Sequence, residues 1–171
     1  MTIETFIDEL TLADHVECVS DVAVALDLQH YLKYFKENNP NVESAYHSNL
    51  HSFATMLNCY EGVMNSTESH DKSSVVAITL AGLFHDFQHL QGMHSTDKDN
   101  INVAVAGLRR CHESLEEKHR IDDSVLELTV DLIKSTQYPY LRKVPKTALE
   151  GIIRDADLMG MYLASPYQRS A

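Results

Sequence analysis

The stretch Val75 to Phe87 reads VVAITLAGLFHDF, apolar around almost its whole circumference when wound as a helix. A helix of that kind must be covered on every side, so the rest of the chain has to wrap around it. It is too short to cross a bilayer, which takes about 20 apolar residues. A histidine and an aspartate, His85 and Asp86, stand together near its end. Val75 to Ile78 has some strand propensity, but no turn-bounded alternation supports a strand there.

The remaining periodicity is helical too. Val16, Val19, Val22, Ala23 and Leu26 recur three and four apart, as one helix face requires. A short helix over His30 to Phe35 comes next, and Asn38-Asn39-Pro40-Asn41 breaks the chain. From about Ser44, Leu50, Phe53, Ala54 and Leu57 mark another face. Polar loops are expected at Asn65 to Ser74 and at Gln91 to Asn100, with Asp99 or Asn100 capping the helix that carries Ile101, Val105 and Leu108. Asp122 and Asp123 open a helix with Val125, Leu128, Leu132 and Ile133 on its face. Pro139 and Pro145 bracket a connector, and a last helix begins near Thr147. The fold class is therefore all-α, a compact multi-helix bundle. A length of 171 residues fits one domain over 1–171, with no repeat or linker.

A formal charge of −11, from 14 basic and 25 acidic residues, argues against duplex nucleic acid as a partner. A small anionic substrate stays open, because bound divalent cations reverse the local sign. Cys18, Cys59 and Cys111 are scattered, with no C-x-x-C, which argues against a disulfide framework or structural zinc. With no basic-then-apolar leader at Met1 and no membrane-spanning stretch, a cytoplasmic protein is expected.

Three separated segments carry metal-ligating atoms. His47 and His51 are spaced i and i+4, which would place them on one side of a helix. Alone, such a pair is more often two ordinary surface or core-edge histidines than a metal site. His85-Asp86-Phe87-Gln88-His89 is more informative: on an apolar helix its polar groups are buried, and a buried carboxylate must be paired or ligated. There His85 and His89 would share a face. Asp155 and Asp157 supply two further candidate carboxylates. His15, His30, His70, His94, His112 and His119 lack such context and read as surface residues.

In this order the motifs resemble the HD superfamily of metal-dependent phosphohydrolases, most closely the catalytic core of class I cyclic-nucleotide phosphodiesterases. That core carries Tyr-His-Asn-x-x-His, His-Asp-x-x-His and Ala-Asp-Leu. This chain has Tyr46-His47-Ser48-Asn49-Leu50-His51, then His85 to His89, then Ala156-Asp157-Leu158, and the resemblance spans roughly 45–160. It implies that His51, His85, Asp86 and Asp157 ligate a first divalent metal and that Asp86 bridges to a second, held otherwise by water. Zinc, magnesium, manganese and iron are all compatible. The same resemblance makes His47 the general acid and His89 a substrate-facing histidine. It offers Glu113 to His119 to the second metal's water network, with Asp155 as the fallback for Asp157.

Ser48 departs from the family's asparagine, and Leu90-Gln91-Gly92 replaces its Pro-Gly. The family's purine clamp lies beyond the last aspartate and has no counterpart before Ala171. The expected activity is hydrolysis of a small nucleotide or cyclic-nucleotide phosphodiester. Alternatives are a nucleoside monophosphate phosphatase, a di-iron oxygenase using His89 and a histidine from the 113–119 segment, or a non-catalytic metal-binding module.

Overall fold

A computed structural model describes residues 18–40, 47–90 and 95–163, the last four of these as backbone only. Among the described residues the fold is all-α. It runs α1 (18–25), α2 (Gln29–Asn38), α3 (Asn49–Met64), α4 (Lys72–Phe84), α5 (Asp97–Ser114), a 3-10 turn (Glu117–His119), α6 (Asp123–Ser135) and α7 (Ala148–Leu163). Val16, the 44–46 stretch and Gln91–Gly92 lie outside the described residues.

The apolar helix α4 is the axle. Every residue from Val75 to Phe84 is buried, and α2, α3, α5, α6 and α7 all pack on it. Asp71 starts it by accepting a hydrogen bond from the Ser74 amide at 2.8 Å. Under its far end Phe35, Phe84 and Phe87 form an aromatic cluster with centroids 5.1–5.5 Å apart. Such pairs add about 0.5–1.5 kcal/mol each beyond area burial. The Phe87 ring lies on α5 at Gly107, where a Cβ would come within 2.3 Å of it.

The helix ends earlier than its hydrophobicity suggests. It stops at Phe84, His85 caps it, and Gln88 takes a left-handed φ of 54° that turns the chain back. His85 and His89 therefore do not share a helix face. α5 is capped by Thr96, not by Asp99 or Asn100. Asp99 sits at the third helical position and returns a bond to the Thr96 amide, completing a capping box. Asn100 instead accepts from the Leu90 amide at 2.9 Å. His112 is buried on the inner face of α5 and bonds Tyr31 Oη at 2.7 Å, contrary to the surface reading.

Candidate metal centre

α3, α4 and α7 deliver the donors. Ser48 caps α3 by accepting from the His51 amide at 3.3 Å. His47 therefore precedes the helix, and the pair is not displayed by helical spacing as expected. Both rings reach Asp86 nonetheless: His47 Nδ1 lies 2.8 Å and His51 Nε2 3.5 Å from the same carboxylate oxygen, Oδ2. Asn39, in the break after α2, ties the segments together. Its side chain donates to Asn49 at the start of α3 and accepts from the Gln88 amide, each at 2.7 Å.

His51 Nε2 lies 3.1 Å from His85 Nε2 and 3.1 Å from Asp157 Oδ1. His85 Nε2 lies 3.3 Å from Asp157 Oδ1 and 3.5 Å from Asp86 Oδ2. Donors about 2.0–2.2 Å from one ion stand about 3.0–3.5 Å from each other, so His51, His85 and Asp157 have the spacing of a coordination shell, with Asp86 Oδ2 at 3.5 Å from both histidines. The tautomer fits as well. His85 Nδ1–H donates to the Gly82 carbonyl at 2.8 Å, which leaves the Nε2 lone pair facing the other donors.

Without a cation, a proton relieves the crowding. Burial alone would push His85 down, but the carboxylates of Asp86 and Asp157 outweigh it and raise it to about 10. Burial likewise opposes charge on Asp86, yet His85, the His47 hydrogen bond and His51 hold it at about 2. Asp157 is held below the usual carboxylate range by His85 and the hydrogen bonds from His51 and His85, again against burial.

A stability profile follows. The His85 contribution is complete below its unfolded value of 6.5 and is lost as pH rises through 10. The Asp86 contribution is complete above 3.8 and is lost as pH falls toward 2. Chelator-treated protein should be most stable between about pH 4 and 6.5 and lose stability steadily toward pH 10. Added metal should remove the alkaline loss, because it replaces that proton. Thermal denaturation across pH, with and without metal, checks this; a chelator-treated profile flat from pH 6.5 to 10 would refute it.

A second group of donors, His47, Asp86 and His89, also converges. Its geometry suits an ion poorly. The two imidazoles stack at 3.6 Å with planes 15° apart, so their in-plane lone pairs run alongside each other and do not meet at one point. Burial and the neighbouring His47 push His89 below its ordinary value.

Asp155 is exposed in a different cleft with Glu61 and Asn65, so the fallback carboxylate is not at the centre. The 113–119 segment is not there either. His119 stacks on His30 at 3.7 Å, and neither donor group includes a residue from that segment.

Beside the donors lies a cleft of about 300 Å³ lined by His47, Asp86, Asp97, Asp157, Tyr138 and Tyr140, among others. No spacing or composition signal in the sequence marks the tyrosines. Buried Arg154 holds their connector in place. Its guanidinium lies 4.3 Å from the Tyr140 ring centroid and donates to the carbonyls of Ser135 and Arg142, each at 3.0 Å. Among the described residues the cleft lining carries carboxylates and no Lys or Arg, so a bound cation would favour entry of an anion.

Among the described residues no helix is long and apolar enough to cross a membrane. A scan against protein-family models finds no match, and searches of curated proteins and of solved structures return none either. From geometry alone, buried His and Asp side chains of α3, α4 and α7 form a group that could hold a metal ion.

Proposed function

We propose that the protein is a metal-dependent phosphohydrolase acting on a small nucleotide or cyclic-nucleotide phosphodiester. One observation carries the reading: His51, His85 and Asp157 stand at coordination spacing with Asp86 Oδ2 3.5 Å from both histidines, and Asp86 and Asp157 line a cleft with a further side chain, His47, that hydrogen-bonds Asp86. A divalent ion held there supplies charge neutralisation of the phosphoryl oxygens and an acidified water. If a second ion were bound, Asp86 would be the carboxylate to hold it, as the resemblance implies.

The chain's own residues account for the rest of the chemistry. Asp86 accepts from His47 Nδ1–H and fixes that ring, so Nε2 would carry the proton given to the leaving oxygen. The His47 side chain is 26% exposed, buried enough to be oriented and open enough to meet substrate. His89 stacks on it and limits its rotation. The di-iron alternative asks for a histidine from the 113–119 segment, and the one histidine there, His119, is stacked on His30.

The test is hydrolysis by stripped protein reloaded with manganese, zinc, magnesium or iron. The substrates are bis(p-nitrophenyl) phosphate, a cyclic nucleotide and a nucleoside monophosphate. Chelator-sensitive cleavage of the diesters is expected, and no cleavage with any metal would end the proposal. His47→Ala should keep its metal and lose about 10²–10⁴-fold in turnover of the cyclic nucleotide. The nitrophenyl ester, whose leaving group needs no proton, should suffer far less. Equal losses would count against the acid role.

A further inference from the structure

One cleft away from the metal centre gathers basic side chains with a stacked histidine pair. It measures about 480 Å³ and is lined by Lys72, Lys118 and Arg120 with the pair His30 and His119. Two carboxylates, Asp27 and Asp122, line it too, so its Lys and Arg outnumber its acids. The chain as a whole has 25 acidic and 14 basic residues. That is a local reversal of sign.

The cations are set up in different ways. Arg120 is fixed by donating Nε–H to the Leu115 carbonyl and Nη2–H to the Glu113 carbonyl, both at 2.9 Å. Neither bond neutralises its charge. Lys118 is paired with exposed Glu116 at 2.9 Å, a bond that water and salt weaken. Lys72 opens α4 from an exposed position. The cleft wall also includes the starts of α2 at Gln29 and of α6 at Asp122, and neither helix has a side-chain cap bond. The first-turn amides of those helices add partial positive charge to that of the side chains. Val76, Ile121 and Val125 give the cleft an apolar floor, and its volume exceeds what a bare ion fills.

We infer that this cleft binds a small organic phosphate, with the phosphate against Lys72 and Lys118 and the organic part over the apolar floor beside His30 and His119. The site is separate from the proposed chemistry and does not depend on it. Lys72 and His85 lie at opposite ends of α4, whose 13 residues span about 20 Å.

Amide NMR of the 171-residue chain, with and without added divalent metal, separates the two places. Titration with 5′-AMP should give saturable shifts at Gln29, Ser73 and Ile121. Inorganic phosphate should reach the same amides more weakly. The exposed double variant Lys72→Glu, Lys118→Glu should weaken those shifts by roughly tenfold or more while leaving metal content unchanged. Shifts confined to residues around His85 and Asp157, no saturable shift at all, or unchanged affinity in the double variant would each overturn the assignment.

Discussion

Asp86→Asn should leave the protein folded and cost it the metal, with affinity falling by at least about 100-fold and phosphodiester hydrolysis lost with it. The substitution keeps the size and one accepting oxygen, so the His47 hydrogen bond can persist. It removes the charge that His47, His51 and His85 all face. Some stability should go as well. A carboxyl displaced from 3.8 to about 2 by its surroundings represents on the order of 2 kcal/mol at neutral pH. That loss is small enough for a folded variant, so metal analysis and activity can be read on intact protein. Asp155→Asn, on an exposed residue of another cleft, is the matched control and should change neither. Full metal content in Asp86→Asn would sink the centre as drawn.

Asp86 stands out in the sequence for a physical reason. A polar pair on an otherwise apolar helix forces the question of what neutralises it, and the helix class itself follows from period and apolar content. Turn geometry was not legible in the same way. The apolar run continues through Phe87, so nothing in composition marks Phe84 as the last helical residue. A left-handed Gln88 has no glycine to announce it. The i and i+4 spacing of His47 and His51 suggested a helix face, whereas a serine cap between them separates the rings and the fold reunites them on Asp86. Asn39 looked like part of a chain break and is the brace between α3 and the Gln88 turn. Its work is done by two long-range hydrogen bonds, which no local pattern encodes. Tyr138 and Tyr140 join the cleft for a similar reason, through Arg154 on a neighbouring helix.

Gly82→Ala should weaken metal binding although Gly82 supplies no ligand side chain. α3 and α4 touch backbone to backbone at this point. A Cβ on Gly82 would lie 2.9 Å from Cys59 Sγ, 3.0 Å from Met56 Cα and 3.0 Å from the Thr55 carbonyl oxygen. Two of those three atoms belong to the main chain and cannot swing aside, so the helices must part by several tenths of an ångström. Alanine gains about 1 kcal/mol in helix propensity over glycine. Overpacking of this kind costs about 1–3 kcal/mol, and the rigid backbone contact puts this site at the upper end. The net loss of about 1–2 kcal/mol corresponds to a melting temperature lower by roughly 2–8 °C for a chain of this length. The larger consequence is at the centre. His51 rides on α3, His85 and Asp86 follow α4, and the Gly82 carbonyl holds His85 Nδ1. Separating the helices pulls one half of the donor set from the other, so metal affinity should drop by about tenfold or more. Gly151→Ala provides the contrast. A Cβ there meets Pro145 at 3.8 Å, an ordinary contact, so helix propensity should prevail and the variant should be as stable as the parent or up to about 1 kcal/mol more so. If Gly82→Ala matched the parent in both melting temperature and metal affinity, the close approach of α3 and α4 would not be what sets the spacing of His51 and His85.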